Sequence, residues 1–522
     1  MMFNHSSNRR TFPVSSLLVA LILVFVGSST VHAILRNIKL SGGNISGGDA
    51  ESFRISSDGV HTVFRGDIRV NDRVELFSVP TLGGERVRLS HDLPVNCNVG
   101  GYSIIPGNEQ VVYYVITDAA WPNHCGLYAV PIEGGLQIEL DPATDGFALQ
   151  YIKISGDGSN VFFVLAQIPA DRPKILYRVP IGGGSKVAVD EVDGPLLYEL
   201  TPDNAHIVIL EDGYRLVLSD LHGAKTTLIE GTILNFKITP DGTHIIYKET
   251  TTSGNELFSI PIGGGTPQKL NSPLTSGGDV HDYAITPDSN YVVYTADETV
   301  DEMVLLFQAP ADGSSSRIHL LPPLSPTPGR GVESFKITPN SKGVVYNADL
   351  LVDGRFDIFS VPIEGGTNRQ LNFGMINDGD VFTYEITPNS LGVIMIMDYY
   401  ADLVNELFAV LIDGSWGVKL NDTLVEGGDV YRFVISPDSQ GVVYLADQEE
   451  VAVTNLYAVP STGGTPVQVN PALIVNGDVM PDYDITPDSK GVVYLADQEL
   501  NDVFELFVTF DFQQTYLPMI LN

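Results

Sequence analysis

Short apolar segments separated by turn residues run along almost the whole chain. In one representative stretch, the alternating residues 431–435 lead into Ser-Pro-Asp-Ser, and an almost unbroken apolar segment follows at 442–446. A third segment at 455–459 and, after Gly463-Gly464, a fourth at 466–469 complete the pattern. Apolar segments of this length predict β-strands, and proline, aspartate and glycine between them predict tight turns. The stretch therefore predicts four strands, and it has no helical periodicity.

The same unit recurs ten times, with 38 to 52 residues between equivalent positions. The anchor residue of each unit, which ends its first strand, is in turn Ile55, Ile104, Ile154, Leu200, Ile238, Ile285, Ile337, Ile386, Ile435 and Ile485. Four strands in a repeat of this length are typical of one blade of a β-propeller. The sequence thus predicts an all-β propeller over residues 34–510, with 511–522 as a C-terminal tail.

The two ends of the chain bear on whether the repeats form one ring or two. Residues 37–55 align without a gap on residues 417–435, and Lys39 and Asp49 match Lys419 and Asp429. The chain therefore begins on a fourth strand, and it ends after a third strand at 505–509. An N-terminal strand that completes the last blade predicts a single ring of ten blades. Two smaller propellers are the alternative, because propellers usually have four to eight blades. The proline-rich loop 320–331 is a candidate boundary between two propellers. A strand at 515–521 would compete with the N-terminal strand for the fourth position of the last blade.

Three recurring phrases resemble those of a known family. The Ile-Thr-Pro-Asp-Gly or Ile-Thr-Pro-Asp-Ser turn, the Val-Val-Tyr strand and the Leu-Phe-Ser-Val-Pro strand resemble the TolB-like propeller repeats of exported bacterial proteins. The resemblance covers roughly residues 35–510 and implies the propeller fold. TolB has an α/β domain before its propeller, and related propeller peptidases have a hydrolase domain. Neither addition is visible in this sequence, so the resemblance implies neither TolB's partner nor proteolysis.

The amino terminus has the pattern of an export signal. Arg9 and Arg10 precede an apolar run at 17–26, and small residues lead to Val31-His32-Ala33. This pattern predicts a signal peptide at residues 1–33 that is cleaved after Ala33, and hence a secreted or periplasmic protein. A retained membrane anchor is the alternative, although the apolar run is shorter than the roughly 20 residues that a membrane-spanning helix needs.

The overall charge narrows the set of partners. The chain has 64 acidic and 29 basic residues, a formal net charge of −35 and 43% hydrophobic residues. Nucleic acids and anionic membrane surfaces are bound by clustered lysine and arginine, so this composition argues against both. Cationic and neutral partners are favoured, and the hydrophobic content is sufficient for a large core.

Aspartate recurs at two fixed places in the repeat, twelve residues after the anchor and six or seven before it. Folding at the turn places the two positions opposite each other on one face of the ring. The five predicted pairs are Asp49 with Asp67, Asp279 with Asp297, Asp380 with Asp398, Asp429 with Asp447, and Asp478 with Asp497. Two carboxylates that face each other repel, so each pair requires hydrogen-bond donors, a proton or a cation. Calcium suits such an oxygen-rich set, and capping of local N–H groups is the alternative.

The second unit contains both cysteines and a candidate contact loop. Cys97 and Cys125 are expected on the same face, and in an exported protein they predict a disulfide. A reduced pair is the alternative, because the sequence does not fix the distance between their Cα atoms. Trp121 and His124 lie beside Cys125 and are candidate contacts for a protein or sugar. Packing within the loop is the competing explanation for both.

The chain contains no recognisable catalytic motif, neither Gly-x-Ser-x-Gly nor His-Glu-x-x-His. The sequence therefore predicts a non-catalytic binding propeller for a protein or glycan, with calcium as a candidate stabilising ion. The alternative is a metal-dependent polysaccharide lyase or hydrolase. Its metal would lie near His91, His124 and His281, the histidines predicted to reach the loop-rich face.

Overall fold

A computed structural model describes residues 35–510 except 44, 46, 108, 118–122, 145, 169–172, 193–195, 322–329, 353, 373, 377 and 378. The predicted signal peptide with Ala33, the predicted tail 511–522 and Trp121 lie outside the described residues. The described residues form forty strands and no helix, so none of them belongs to a helix able to cross a membrane.

The first strand of the described residues is β1 (Arg36–Lys39), and the strands of the first five blades follow in groups of four. They are β2 (Ala50–Ile55), β3 (His61–Gly66), β4 (Glu75–Pro80), β5 (Val87–Arg88); β6 (Cys97–Ile104), β7 (Gln110–Thr117), β8 (His124–Pro131), β9 (Ile138–Thr144); β10 (Phe147–Ile154), β11 (Asn160–Gln167), β12 (Lys174–Pro180), β13 (Val187–Val192); β14 (Leu196–Leu200), β15 (His206–Glu211), β16 (Arg215–Asp220), β17 (Lys225–Glu230); β18 (Thr232–Ile238), β19 (His244–Thr251), β20 (Gly254–Pro261) and β21 (Gln268–Lys269).

Blades 6 to 10 repeat the arrangement. Their strands are β22 (Val280–Ile285), β23 (Tyr291–Ala296), β24 (Leu305–Pro310), β25 (Ile318–His319); β26 (Gly331–Ile337), β27 (Gly343–Asp349), β28 (Asp357–Pro362), β29 (Arg369–Gln370); β30 (Val381–Ile386), β31 (Gly392–Met397), β32 (Glu406–Leu411), β33 (Gly417–Lys419); β34 (Val430–Ile435), β35 (Gly441–Ala446), β36 (Asn455–Pro460), β37 (Val467–Gln468); β38 (Val479–Ile485), β39 (Gly491–Ala496) and β40 (Glu505–Phe510).

Each blade is a four-stranded antiparallel sheet, and the tenth blade contains both ends of the ring. Its strand order is β38, β39, β40 and β1. β1 pairs antiparallel with β40, so that Arg36 lies opposite Phe510 and Lys39 opposite Phe507. The predicted N-terminal latch is thereby confirmed.

Apolar clusters join every blade to the next and close the ring. Leu257 of blade 5 packs in one cluster with Val293 of blade 6. Val493 of blade 10 packs in another with Phe64 of blade 1. Two separate propellers would need blade 5 to pack against blade 1 instead, so that alternative is wrong and the fold is a single ten-bladed β-propeller. The second strands supply much of this core, and all six residues of β35 and of β39 are buried.

The first strand of each blade, which is the innermost in a propeller, shows a period of two blades that the sequence repeats alone did not reveal. Two residues before the anchor, even-numbered blades carry tyrosine and odd-numbered blades carry phenylalanine or, once, isoleucine. The tyrosines are Tyr102, Tyr198, Tyr283, Tyr384 and Tyr483, and their counterparts are Phe53, Ile152, Phe236, Phe335 and Phe433.

Each tyrosine ties its blade to the odd-numbered blade before it. The hydroxyl of Tyr283 donates to the carbonyl of Ile246 at 3.2 Å, and that of Tyr483 donates to the carbonyl of Arg432 at 2.9 Å. A cation from the odd blade lies over each tyrosine ring, as Lys237 does over Tyr283 at 4.7 Å from the centroid. The blades are therefore joined in pairs by polar contacts, while the opposite interfaces carry phenylalanine or isoleucine at this position.

Serine in the hairpin turn makes a further link between blades. Ser341 and Ser489 adopt left-handed backbone angles, with φ of 62° and 63°, where blades 1, 3 and 5 use glycine. Their hydroxyls accept the N–H of Asp288 at 3.0 Å and of Asp438 at 3.1 Å in the preceding blades. Serine thus exchanges the conformational freedom of glycine for a hydrogen bond across the interface.

Candidate functional site

The structure brings the members of each predicted aspartate pair together. We call the side that carries them the loop-bearing face; it is formed by the loops from second to third strand and from fourth strand to the next blade. The N–H of Asp429 donates to Oδ1 of Asp447 at 2.6 Å, and the N–H of Asp49 donates to Oδ1 of Asp67 at 2.6 Å. The same bond joins Asp279 to Asp297, Asp380 to Asp398, and Asp478 to Asp497.

The second oxygen of these carboxylates caps the loop that follows. Oδ2 of Asp447 accepts the N–H of Ala452 at 3.0 Å, and Oδ2 of Asp398 accepts that of Leu403 at 3.3 Å. Both donors have left-handed backbone angles, with φ of 62° and 61°, which non-glycine residues rarely adopt. The carboxylate therefore holds each loop in one conformation.

The first aspartate of each pair reaches the preceding blade. Oδ1 of Asp429 accepts the N–H of Asn405 at 2.8 Å, and Oδ1 of Asp49 accepts that of Phe504 at 2.8 Å. Burial raises the pKa of the Asp49 carboxyl, and the N–H of Phe504 opposes that shift. Burial likewise raises the pKa of Asp398, against its bonds from Asp380 and Leu403.

Backbone amides thus supply donors for the opposed carboxylates, as the capping alternative requires. Among the described residues, no group of three or more histidine, cysteine, aspartate or glutamate side chains is arranged to hold a metal ion. Calcium binding by the pairs stays a prediction that solution experiments must test.

The disulfide is confirmed, and the neighbouring histidine is not at the surface. Cys97, the first residue of β6, is bonded to Cys125 in β8 with 6.5 Å between their Cα atoms. The side chain of His124 is fully buried, and its Nε2 lies 2.9 Å from Oδ2 of Asp141. The prediction of His124 as a surface contact was wrong, because β8 begins at this residue and β9 supplies a buried partner for its ring.

The three histidines of the lyase alternative do not come from one part of the ring. His91 is exposed in the loop after β5, whereas His124 is buried in blade 2. His281 lies in β22 of blade 6, four blades from His124, with its Nε2 3.2 Å from Oδ1 of Asp297. The ring therefore separates the residues that this hypothesis places around one metal.

The loops of blades 8 to 10 form a distinct arc of the loop-bearing face, which we call the acidic rim. Its described residues are 371–372, 374–376, 379–380, 398–405, 420–429, 447–454, 470–478 and 497–504. These loops contain aspartate and glutamate but no lysine, arginine or histidine. Glu426, Glu449 and Glu450 are all exposed. The neighbouring blades differ, because Arg73 and Arg355 lie in the corresponding loops of blades 1 and 7.

Large apolar side chains are exposed between these acids. Leu403 is 77% exposed, Val475 is 84% exposed and Leu500 is 56% exposed. Others on the rim or at the start of its first strands are Phe382, Tyr400, Tyr431 and Val451. Burial and a hydrogen bond to Asp447 raise the pKa of the Tyr431 hydroxyl to about 12, so it stays protonated at neutral pH. The rim combines fixed backbone, negative charge and exposed apolar surface.

These apolar residues were not singled out in the sequence. Leu403, Val451 and Leu500 follow the second aspartate of each pair by three to five residues, a spacing that could have revealed them. Their exposure depends on the capped loop conformation, which a sequence pattern does not show.

Sequence and structure comparisons do not assign a family. No protein-family model and no curated protein sequence matches the chain. The fold is similar to that of a eukaryotic initiation factor, with 13% identity, 71% of this chain and 87% of the other covered and a TM-score of 0.45. It is also similar to the tricorn protease, with 12% identity, 86% and 47% covered and a TM-score of 0.35. An oligogalacturonate lyase in complex with manganese is similar with 13% identity, 78% and 99% covered and a TM-score of 0.37. The resemblance to TolB-like repeats accordingly stays a prediction.

Proposed function

We propose that this protein is a non-catalytic binding propeller that holds a cationic, amphipathic polypeptide against the acidic rim. The observation that carries the proposal is the exposure of Leu403, Val451, Val475 and Leu500 within loops that contain only acidic charges. Apolar side chains that are exposed on neighbouring loops of one face mark an interaction surface, and the surrounding carboxylates favour a partner in which lysine or arginine flanks the apolar residues.

The capped loops reduce the entropic cost of binding. Asp398, Asp447 and Asp497 each fix their loop through the N–H five residues later. A partner therefore meets a surface that is already ordered, so less binding energy is lost in ordering the loops. The net charge of −35 would also accelerate the approach of a cationic partner at low ionic strength.

We further propose that the protein acts in the periplasm or outside the cell. The export pattern at residues 1–33 and the disulfide between Cys97 and Cys125 support this location, because disulfides persist in oxidising compartments. No observation on the described residues favours the metal-dependent lyase or hydrolase.

Calorimetric titration with a synthetic peptide of repeated Lys-Leu-Lys-Lys-Leu units tests the rim. The triple variant Glu426→Gln, Glu449→Gln, Glu450→Gln should weaken binding about tenfold, since each exposed pair contributes roughly 0.5 kcal/mol and tenfold corresponds to about 1.4 kcal/mol. The matched control Glu109→Gln, Glu133→Gln, Glu364→Gln removes equal charge from exposed turns on the opposite face. It should change the affinity less than about threefold.

A second comparison tests the apolar contribution. Leu403→Ser should weaken binding of the same peptide. Leu136→Ser should leave that binding unchanged, because Leu136 is 84% exposed on the opposite face. Equal weakening by both triple variants would show that the peptide responds to net charge alone, and that result would overturn the proposal.

A further inference from the structure

A large cavity opens in the wall of the central channel, away from the loops of the acidic rim. Its volume is about 1260 Å³, and the innermost strands of blades 9, 10, 1, 2 and 3 line it. This volume exceeds the roughly 300–1,000 Å³ that is typical of small-ligand sites. The cavity therefore has room for a ligand longer than a single small molecule.

Blade 2 widens the recess because two consecutive positions of its first strand carry no side chain. Gly100 and Gly101 stand where the neighbouring blades carry Glu51 and Ser52 or Gln150 and Tyr151. A Cβ atom at Gly101 would lie 2.8 Å from the ring of Tyr114, and one at Gly100 would also collide with that ring. The two glycines let the Tyr114 ring lie against the strand as part of the cavity lining.

The cavity lining continues in blade 3 with Tyr151, which has an unusual backbone conformation. Its φ is 50°, and the pairing of β10 with β11 is interrupted at this point by a bulge. The hydroxyl of Tyr198 holds the Tyr151 carbonyl. Bulges and left-handed aromatic residues are costly and are found where a side chain has to be redirected. Here the result is a 54% exposed aromatic ring that lines the cavity.

The charged lining is nearly balanced, in contrast to the acidic molecule as a whole. Arg54, Arg65 and Arg432 lie around the cavity with Asp482 and Asp484. Arg65 bonds the carbonyl of Gly100 at 2.6 Å and Glu51 at 2.9 Å, and Arg54 lies 5.9 Å from the centroid of the Tyr102 ring. Burial raises the pKa of both aspartates, and Arg432 opposes the shift.

We propose that this cavity binds a neutral oligosaccharide. Sugar hydroxyls both donate and accept hydrogen bonds. They can therefore donate to the carboxylates of Asp482 and Asp484 and accept from the guanidinium of Arg54. The exposed ring of Tyr151 offers a flat apolar surface for a sugar ring. An anionic ligand would meet the two aspartates, and an apolar ligand would remove water from Arg54, Asp482 and Asp484 without replacing its hydrogen bonds. The site is independent of the acidic rim.

Titration with four hexasaccharides tests the assignment: maltohexaose, cellohexaose, chitohexaose and, as the anionic probe, a hyaluronan hexasaccharide. At least one neutral oligosaccharide should bind, and Tyr151→Ala and Asp484→Asn should each weaken it about tenfold. Tyr151→Phe keeps the ring and should bind like the unaltered protein. The matched control Glu385→Gln alters the same repeat position in blade 8, which does not line the cavity, and should leave the affinity unchanged within about twofold.

Three results would overturn the proposal. They are binding of none of the neutral oligosaccharides, binding of the hyaluronan probe alone, and binding that is insensitive to Asp484→Asn and Tyr151→Ala. Binding of the Lys-Leu peptide that is lost in Asp484→Asn would assign the cavity to a polypeptide and would also contradict it.

Discussion

At the residue scale, one hydroxyl group distinguishes the two kinds of blade interface. Tyr483 is 1% exposed, and its hydroxyl reaches the carbonyl of Arg432 in the preceding blade. Phe433 occupies the same place one blade earlier and has no hydroxyl. The alternation of these residues was visible two positions before the anchors. Its meaning was not, because only the folded ring shows which carbonyl each hydroxyl meets.

Tyr483→Phe should therefore destabilise the ring. Loss of a buried hydrogen bond that leaves its acceptor unpaired typically costs about 1 kcal/mol, and chemical denaturation should show a decrease of that order. Tyr457 provides a matched control, because its buried hydroxyl has no hydrogen-bond partner among the residues that the structure describes. Tyr457→Phe should leave stability unchanged or raise it. Equal losses in both variants would show that the hydroxyl bond across the blade interface is not what stabilises it.

At the scale of the element, the turns and strands were predictable from the sequence. For the loop caps, the sequence predicted the aspartates but not the N–H groups that they accept. Ser-Pro-Asp-Ser predicts its hairpin turn by local chemistry, and the apolar run of β35 predicts a strand buried on both sides. The spacing also placed Asp429 opposite Asp447. It did not show that Ala452 and Asn405 donate to these carboxylates. The N–H of Ala452 reaches Asp447 only in a left-handed backbone conformation, and Asn405 belongs to the neighbouring blade.

The capping role of Asp447 can be separated from calcium binding by thermal melts. Asp447→Ala should lower the melting temperature, because the N–H groups of Asp429 and Ala452 lose their acceptor. Asp402→Ala removes the same charge from an exposed position on this face and should have little effect. If capping alone is the role of the aspartate pairs, melts of the unaltered protein in calcium and in EDTA coincide. A calcium-dependent rise in melting temperature that Asp447→Ala abolishes would instead establish the metal site.

At the scale of the whole molecule, the ring closure was predictable and the binding surfaces were not. The match between residues 37–55 and 417–435 indicated that β1 completes the tenth blade, as its pairing with β40 confirms. His124 was placed wrongly because sequence spacing does not mark where β8 begins. The acidic rim and the channel cavity each combine several blades, so no single repeat contains their pattern.

The central claim is that a cationic partner binds the loops of blades 8 to 10. Hydrogen–deuterium exchange with and without the Lys-Leu peptide tests it most directly, because it locates the contact without altering the protein. The account predicts slower exchange in residues 398–405, 447–454 and 497–504, and unchanged exchange in the hairpin turns of the opposite face. Slower exchange in those turns, such as 438–440, or no protection of the rim at saturating peptide would contradict it.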